Sequence, residues 1–537
     1  MNIENLVRSN IKELVPYSTA RDECGLESGI FLDANENPFN NGFNRYPDPS
    51  QSKLKQVYSE VTGIPACNMF AGNGSDEAID LLLRVFCEPG TDNIITLSPT
   101  YGMYKTAANV NNVMCAEVPL EADYSLDPFK VLNEAGEHTK IIFLCSPNNP
   151  TGNLLNRESV ETIIRNFNGI VVVDEAYIDF SGNEGFAGKV DTFSNLVVLR
   201  TLSKAWGMAG LRVGFAIASS AVVALMNKVK YPYNVNILSQ EKAIGLLRRG
   251  NTSQVGAIIG ERERVISELK LLPDVLEVYP SDSNFVLVRI NNHQEVFRKL
   301  LESGVIVRDR SSAQGCRGAL RITIGTESEN SYILEILKGA VSVSALSLVR
   351  KQRSTAETMV SVKIDPYGYM KNEVFTGIPF FNHMLEQIPV HGGFSMQLFA
   401  GGDLENGVHH TVEDVAIVLG EALNELVASV QGNNRYGFAL PMDESSATIL
   451  IDIGGRAFLQ WEVDFPASYV EGIESDMFRH FFDTLSKSMK ATIHVKAGGL
   501  NAHHVAEAIF KAFARTLRSA LNTSGNDSKI QSSKGVL

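Results

Sequence analysis

Residues 196–218 read LVVLRTLSKAWGMAGLRVGFAIA and indicate the fold of the first half of the chain. Apolar runs stand at both ends of this stretch, and further runs of Val, Ile and Leu occupy 141–145 and 170–174. Continuous apolar runs of this length are typical of strands buried on both faces of a parallel sheet. Residues 76–86 instead carry apolar side chains at helical spacing. Strands that alternate with helices predict an α/β sheet with right-handed crossovers.

Length and composition narrow the class of protein. The chain has 537 residues, of which 44% are hydrophobic and 20% charged, so we expect a globular protein of two or three domains. A net charge of -13 argues against a nucleic-acid-binding surface over the whole chain. No apolar run approaches a membrane span and the first residues lack a signal segment, so we expect no membrane partner. Six cysteines without a CxxC pair indicate reduced thiols and a cytoplasmic location.

Two glycine-containing segments lie beside apolar runs. Residues 71–76 read AGNGSD and open a helix, and residues 146–152 read SPNNPTG directly after the run at 141–145. Glycine lets the backbone approach an anion, and the free N–H groups and dipole of a helix N-terminus favour phosphate. Either segment alone is more simply interpreted as a turn with a helix cap.

A carboxylate and a lysine stand at the ends of two other apolar runs. Asp174 ends IVVVD, where a buried carboxylate is costly unless it is paired. The carboxyl ends of parallel strands are also where open α/β sheets bind ligands. Lys204 lies among apolar residues with Arg212 eight positions later, which suits a Schiff-base amine beside a phosphate anchor. Each residue alone would be interpreted as structural, whereas four such segments together favour a cofactor site.

These segments resemble the fold-type I aminotransferases that depend on pyridoxal 5′-phosphate (PLP), and specifically the histidinol-phosphate aminotransferases, over about residues 5–340. The resemblance implies a mostly parallel sheet flanked by helices, with a small C-terminal subdomain and PLP as cofactor. Lys204 would form the Schiff base with PLP and move the proton between the substrate carbon and the cofactor. Asp174 would pair with the pyridinium nitrogen, so that the ring withdraws electrons.

The same resemblance assigns further side chains to the cofactor and the substrate. The residues implied to contact PLP are Asn149 and Tyr177 at the ring hydroxylate, Tyr101 on the ring face, and Gly74, Ser75, Ser203, Arg212 and Tyr46 at the phosphate. Tyr46 would reach that phosphate across a dimer. The residues implied to contact substrate are Tyr17, Arg308 and Arg321. Arg321 would bind the carboxylate of the amino donor, although an arginine in RIT also fits a solvated strand position.

Histidines are concentrated in the last third of the chain. Eight of the ten lie between His383 and His504. The motif HHTVE at 409–413 recurs as HHVAE at 503–507, each time at the start of an amphipathic helix, which predicts a duplicated α+β unit. Residues i and i+4 share a helix face, whereas i and i+1 diverge by about 100°. The first histidine and the glutamate of each motif can therefore bind one ion, and the second histidine faces elsewhere.

Two further histidines, His383 and His480, complete a candidate metal centre. Together with the motifs they supply three imidazoles and one carboxylate for each of two ions. Such ligands suit Mn, Fe or Zn, and a thiolate site is excluded because this region has no cysteine. A lone histidine is more often a helix cap or a satisfied core residue. The duplicated motif with two additional histidines favours metal binding.

Residues 348–537 closely resemble the imidazoleglycerol-phosphate dehydratases, through TGIPFFNHML, HHTVEDVAIVLGEAL, RYGFALPMDES and NAHHVAEAIFKAFARTLR. The resemblance implies two Mn(II) ions bridged by the substrate imidazole. One ion would be held by His383, His410, His503 and Glu507, and the other by His409, Glu413, His480 and His504. The implied catalytic carboxylates are Glu357, which also contacts substrate, and Glu507. The implied phosphate-binding residues are Arg435, Arg456, Ser533 and Lys534.

Three positions depart from the dehydratase pattern. Ala356 replaces a lysine, Asn382 replaces an aspartate beside the first histidine, and Val408 replaces an acidic residue before the histidine pair. Asn382 matters most, because a carboxylate next to a metal ligand normally orients the imidazole and raises its basicity.

The two resemblances together predict an aminotransferase domain at 1–345 and a dehydratase domain at 346–537. These families perform consecutive steps of histidine biosynthesis, so we expect phosphorylated imidazole substrates, glutamate and no nucleic-acid partner. The aminotransferases are dimeric and the dehydratases form shells built from trimers, so we expect a homo-oligomer. Three alternatives stay open at this stage. The first domain could act on another amino acid, such as an aromatic one, and the second could be a metal-bound scaffold without activity or a metal-storage module.

Overall fold

The structure, a computed structural model, describes residues 3–16, 30, 32–339, 348–366, 368, 370–404, 407–428 and 436–521. Four predicted site residues (Tyr17, Arg435, Ser533 and Lys534) and the predicted domain boundary at 345/346 lie outside this part of the chain. The chain divides into two compact units, Met1–Leu301 with Val305–Ala340 and Glu302–Gly304 with Val341–Leu537. Within the described ranges, no helix is both long and apolar enough to cross a membrane.

A seven-stranded sheet forms the centre of the first unit. Its strands are β1 (Met69–Asn73), β2 (Asn93–Ser98), β3 (Met114–Pro119), β4 (Thr139–Cys145), β5 (Ile170–Asp174), β6 (Leu196–Thr201) and β7 (Val213–Ala218). They lie in the order β1-β7-β6-β5-β4-β2-β3. Strands β6, β5, β4, β2 and β3 are parallel to one another, and β7 is antiparallel to both of its neighbours. The predicted mostly parallel sheet is confirmed.

Helices cover both faces of this sheet, and the central strands show why their sequences are apolar throughout. Ile141 and Phe143 of β4 belong to one hydrophobic core, whereas Ile142 and Leu144 belong to another. Both faces must therefore be apolar, because successive side chains of a strand point to opposite sides. The helices of the main part of this unit are Ser9–Glu13, Ser52–Thr62, Ser75–Phe86, Met103–Val110, Pro128–Glu134, Arg157–Asn166, Ser220–Val229 and Ile237–Leu247.

A smaller antiparallel sheet completes the first unit, as expected for the C-terminal subdomain. Its strands are β8 (Val275–Val278), β9 (Phe285–Ile290), β10 (Arg308–Asp309) and β11 (Ala319–Thr323), in the order β10-β11-β9-β8. The helices of this part are Thr252–Leu269, His293–Glu302 and Glu327–Leu337.

The second unit contains two four-stranded sheets of identical plan. The first has β12 (Val349–Ser354), β13 (Thr358–Asp365), β14 (Glu373–Phe375) and β15 (Ser395–Gly402), and the second has β16 (Tyr436–Met442), β17 (Ser445–Asp452), β18 (Phe458–Asp464) and β21 (Thr492–Gly498). The orders β12-β13-β15-β14 and β16-β17-β21-β18 correspond strand by strand. In each sheet the last pair is parallel and the others antiparallel. The short strands β19 (Tyr469–Val470) and β20 (Ile473–Glu474) form a separate pair. This repetition confirms the duplicated α+β unit.

Four helices pack in pairs that join the two repeats. Helix His409–Ala428 of the first repeat packs on Asp476–Met489 of the second, and Pro379–Gly392 packs on Ala502–Leu521. The two repeats share one hydrophobic core, because neither sheet could bury its apolar face alone. This packing places the last helix of one repeat beside the first helix of the other. It therefore determines which histidines can lie close together.

Candidate active sites

A cleft at the carboxyl ends of β4, β5 and β6 brings most of the predicted cofactor residues together. It is lined by Ser75, Asp76, Tyr101, Cys145, Asn149, Asp174, Ala176, Tyr177, Thr201, Ser203, Lys204 and Arg212. Strands β4, β5 and β6 contribute the residue at which each ends. Eight of the ten predicted cofactor contacts are in this set, and Gly74 and Tyr46 are not.

Asp174 is the buried carboxylate of the cleft. Its Oδ2 accepts a hydrogen bond of 2.7 Å from the hydroxyl of Tyr104, and its Oδ1 accepts one of 3.0 Å from the backbone N–H of Ala176. Burial raises the pKa of Asp174, and these two bonds oppose that rise. Tyr104 is fully buried and stacks on Phe143, so its hydroxyl is held in place. Tyr104 was not predicted from the sequence as a site residue, and its only signal was its place three residues after Tyr101.

Lys204 follows β6 and places its amine in the same cleft. The Nζ atom lies 5.6 Å from the centroid of the Tyr177 ring. Burial, followed by the positive charge of Arg321, lowers the pKa of Lys204, and Asp174 and Asp76 partly oppose this. A larger fraction of this amine is uncharged near neutral pH than in an exposed lysine, which is what a nucleophilic or proton-accepting amine requires.

The proposed phosphate end of the cleft is built from Ser75, Ser203 and Arg212. The Oγ of Ser203 is buried without a hydrogen-bond partner in the described part of the chain. Ser75 begins the helix Ser75–Phe86, whose first N–H groups have no partner within the helix. A Cβ on Gly74 would lie 2.5 Å from Nη2 of Arg212, so only glycine allows the guanidinium this close. That guanidinium also bonds Asp76, which in turn accepts from Tyr101.

Asn149 links the cleft to the small sheet. It donates a hydrogen bond of 3.4 Å to the Tyr177 hydroxyl and accepts one from Nη1 of Arg321. Arg308 lies directly opposite Arg321 in the pairing of β10 with β11. Tyr46 lies outside the cleft, where its half-exposed ring stacks on Tyr233 at 4.4 Å.

The residues of the cleft fit PLP. Within the described ranges, the buried Asp174 carboxylate accepts hydrogen bonds from neutral donors, which leaves it able to pair with a pyridinium nitrogen. In the same ranges the Ser203 hydroxyl has no hydrogen-bond partner, and it lies beside Arg212 and a helix N-terminus, which together match a phosphate. Lys204 lines the same cleft with a lowered pKa, and the charges of both Asp174 and Arg212 act on its amine. Anion site, amine and carboxylate therefore occur in the combination that this cofactor uses.

In the second unit, two trios of metal-binding side chains lie where helices of different repeats meet. Ligand atoms of His383, His503 and Glu507 lie within 4.8 Å of one another, as do those of His409, Glu413 and His480. Each trio combines the first histidine and the glutamate of one motif with the histidine of the other repeat's first helix. The Nε2 of His480 is buried without a hydrogen-bond partner in the described ranges, as expected of an atom that binds a metal. Three of the four ligands implied for each ion are thus brought together.

The fourth histidine of each implied set lies apart. The Nδ1 of His410 is 3.3 Å from both carboxylate oxygens of Asp403, and that of His504 is 3.1 Å from Glu444. The hydrogen bond with Asp403 raises the pKa of His410. The Nε2 of His504 lies 3.8 Å from the Asp443 carboxylate. Asp403, which follows β15, and Glu444, in the turn between β16 and β17, were not predicted from the sequence as site residues.

The remaining predicted dehydratase residues have simpler surroundings. The Glu357 carboxylate is 3.7 Å from Nδ1 of His410. Arg456 is exposed, and its backbone oxygen accepts a hydrogen bond from Thr492. Asn382 accepts two bonds from Thr376, at 2.8 Å from its N–H and 2.6 Å from its hydroxyl. The Asn382 side chain therefore fixes the turn before its helix.

Comparison with known proteins agrees with this division. Residues 32–337 match the family model of aminotransferase class I and II. The N-terminal part of the chain is similar to a "histidinol-phosphate aminotransferase" from Parabacteroides distasonis, with 52% identity over 339 residues, or 63% of this chain and 98% of the relative. The chain belongs to the class I and II aminotransferases. Residues 376–517 match the imidazoleglycerol-phosphate dehydratase model, so this enzyme carries a dehydratase domain after its aminotransferase domain.

Solved structures support the fold of the aminotransferase domain. The histidinol-phosphate aminotransferase of Clostridium acetobutylicum has 25% sequence identity and a TM-score of 0.51, covering 56% of this chain and 91% of its own. The corresponding protein of Sinorhizobium meliloti, solved in complex with PLP, has 20% identity and a TM-score of 0.50, covering 55% and 84%. The two family models and the Parabacteroides relative confirm both resemblances stated from the sequence.

Proposed function

We propose that the chain catalyses two consecutive steps of histidine biosynthesis. The dehydratase domain, proposed as residues 346–537, would convert imidazole glycerol phosphate to imidazole acetol phosphate. The aminotransferase domain, proposed as residues 1–345, would convert that product to histidinol phosphate, with glutamate giving 2-oxoglutarate. The observation that carries the proposal is that one chain holds both a Lys204–Asp174 cleft and two histidine–glutamate trios.

In the aminotransferase domain each residue would have one task. PLP, when bound, withdraws electrons from the reacting carbon of the substrate. Asp174, fixed by Tyr104, would keep the ring nitrogen protonated by pairing with it. The Nζ of Lys204 would take the proton from the substrate carbon, which its lowered pKa favours. Arg321 would bind the carboxylate of the amino donor, because a guanidinium matches a carboxylate in two parallel hydrogen bonds.

In the dehydratase domain the trios would hold two Mn(II) ions. These ions, when bound, stabilise negative charge on the substrate imidazole while a proton leaves the neighbouring carbon and water departs. Histidine and carboxylate ligands suit such an ion, and the buried Nε2 of His480 has no hydrogen-bond partner in the described ranges, with the Glu413 carboxylate 3.9 Å away. Glu357, beside His410, would contact the substrate.

Oligomerisation would supply the missing ligands. Among the described residues, neither trio includes His410 or His504. We therefore propose that each trio receives its fourth histidine from another copy of the chain, in a cytoplasmic homo-oligomer with trimer-based contacts through the dehydratase domain and dimer contacts through the aminotransferase domain. Tyr46, which is half-exposed outside the cleft, would serve in the dimer contact.

A one-pot reaction tests the proposal. The full chain is incubated with imidazole glycerol phosphate, glutamate, Mn(II) and PLP, and products are followed by mass spectrometry. We expect histidinol phosphate and 2-oxoglutarate from the wild type. Lys204→Ala should accumulate imidazole acetol phosphate, and His409→Ala should leave the first substrate unconsumed. Matched controls are Lys189→Ala, at an exposed lysine, and His494→Ala, at a histidine outside both trios.

The other outcomes separate the alternatives. A wild type that stops at imidazole acetol phosphate would show that the first domain uses another amino acid, and phenylalanine would then be tested in place of histidinol phosphate. If the first substrate is not consumed even with metal, the second domain is a metal-bound scaffold and the proposal fails for it.

A further inference from the structure

Arg310 lies next to the two predicted substrate arginines, Arg308 and Arg321. Strand β10 pairs antiparallel with β11 so that Arg308 stands opposite Arg321. The ladder continues by one bond, because the backbone N–H of Arg310 donates to the carbonyl of Ala319 at 3.0 Å. Residues two apart on a strand share a face, so all three guanidinium-bearing side chains start from the same side of this pair of strands. Like charges directly opposite one another destabilise a sheet.

In the part of the chain that the structure describes, no carboxylate pairs with these three guanidinium groups. The Nε atoms of Arg310 and Arg321 are both buried without a hydrogen-bond partner among the described residues. Burial lowers the pKa of Arg310 most, and the positive charge of Arg308 lowers it further. The Cys316 thiol and the Tyr177 phenol raise it. The pKa of Arg321 is lowered most by burial and next by the positive charge of Arg310. A group of partly buried cations that repel one another is costly unless an anion joins them.

This face borders the cofactor cleft. Arg321 donates to Asn149 and lies over the Phe285 ring at 5.2 Å from its centroid. Tyr177, which lines the cleft, is close enough to Arg310 and Arg321 for their charges to act on its pKa. The intervening Asp309 lies on the opposite side of the strand by alternation, and its carboxylate accepts from the Ser311 N–H at 2.7 Å. Since the described part of the chain supplies no carboxylate to this face, a ligand in or beside the cleft can supply the anion.

We propose that Arg310 is a specificity-determining residue that binds, together with Arg308, the phosphate group of the phosphorylated substrate. The inference rests on the proposed function of this domain. A phosphate monoester carries about -1.5 to -2 charges at pH 7 and three acceptor oxygens, so it matches two guanidinium groups. The α-carboxylate of glutamate, which replaces the phosphate-bearing group on the reacting carbon, carries one charge and two acceptor oxygens, so Arg321 alone matches it. Arg310 therefore distinguishes the phosphorylated substrate from its unphosphorylated analogue.

The experiment compares half-reactions of the full-length PLP-loaded protein by single-turnover absorbance of the cofactor. Arg310→Gln is tested with glutamate, with histidinol phosphate and with histidinol. We expect kcat/KM for histidinol phosphate to fall about 10- to 100-fold, as for loss of a charge-assisted contact, and the preference for histidinol phosphate over histidinol to fall by the same factor. The glutamate half-reaction should change by less than about threefold. Arg310→Lys should recover part of the loss, and Arg317→Gln, at an exposed arginine nearby, is the matched control.

Inorganic phosphate gives a second readout that does not depend on turnover of histidinol phosphate. It should inhibit the glutamate half-reaction of the wild type, and the inhibition constant should rise about tenfold in Arg310→Gln. The proposal would be overturned if Arg310→Gln lowered kcat/KM equally for glutamate and histidinol phosphate. It would also be overturned if the preference for histidinol phosphate over histidinol did not change. If the wild type does not use histidinol phosphate, the proposed function of the domain fails, and phosphate inhibition alone then decides whether Arg310 binds a phosphate.

Discussion

The hydroxyl of Tyr104 donates a hydrogen bond of 2.7 Å to Oδ2 of Asp174, at the buried carboxyl end of β5. Asp174 is only 3% exposed, so this bond and the one from the Ala176 N–H largely replace its contact with water. Because Tyr104 is itself fixed by stacking on Phe143, it determines the direction in which the carboxylate points. Tyr104 is thus a positioning residue for the group that would pair with the PLP ring.

Tyr104→Phe should weaken PLP binding and slow the aminotransferase reaction while leaving the fold intact. The lost bond has a charged acceptor, and such bonds contribute about 1.5–3 kcal/mol, which corresponds to about 10- to 100-fold. A PLP titration of the apoprotein followed by absorbance measures the affinity, and the glutamate half-reaction measures the rate. Tyr58→Phe, at another buried tyrosine, which stacks on Phe215, is the control. Unchanged affinity and rate in Tyr104→Phe would show that Asp174 is held by other contacts.

The amine of Lys204 should react with PLP at lower pH than an ordinary lysine. Only the uncharged amine is a nucleophile, so its rate of PLP capture rises with pH until the pKa is passed. Burial and Arg321 lower that pKa from 10.5, which places the midpoint of the pH–rate curve below 10.5. Arg321→Gln removes a cation and should move the midpoint upward. Stopped-flow absorbance of the apoprotein measures the curve, with Arg317→Gln as control. A midpoint that does not move would contradict the electrostatic role of Arg321.

We expect each of the two trios to bind one Mn(II) ion independently of the other. We expect the wild type to retain two Mn(II) ions per chain after desalting, and His480→Ala to retain about one, because a trio that loses one of three ligands no longer competes with water. His383→Ala should remove the other ion. Electron paramagnetic resonance of released Mn(II) measures both, and His494→Ala should retain the wild-type content. Loss of both ions in either single variant would show that the trios do not bind independently.

Both folds could be predicted from the sequence, because their patterns are local. The apolar run at 170–174 is continuous because its alternate residues enter two different cores. Asp174 ends the run and lines the cleft. The repeated HHxxE motif likewise predicted two equivalent repeats, which the matching orders of β12–β15 and β16–β21 confirm.

Side-chain partners that depend on long-range packing could not be predicted. Tyr104 bonds Asp174 across 70 positions of sequence. Arg310 comes within electrostatic reach of Tyr177 because the small sheet borders the cleft. Spacing showed that His410 must face away from His409, but not that Asp403 would meet it, since that contact depends on the end of β15. Helical periodicity gives the direction of a side chain and not the identity of its neighbour.

The contact between Asp403 and His410 should strengthen metal binding by the dehydratase domain. A carboxylate at Nδ1 fixes the tautomer of the ring, so that Nε2 is the atom presented to a metal, and loss of such a partner typically costs about 10- to 100-fold in metal affinity or activity. Asp403→Asn should therefore weaken Mn(II) binding and dehydratase activity by about that factor, and Glu444→Gln, at the equivalent contact with His504, should do the same. Excess Mn(II) should restore much of the activity, since the trios themselves are untouched. Asp483→Asn, at a surface ion pair with Lys487, is the control for loss of a carboxylate. Activity that stays low at saturating Mn(II) would mean that Asp403 acts on the substrate and not through His410.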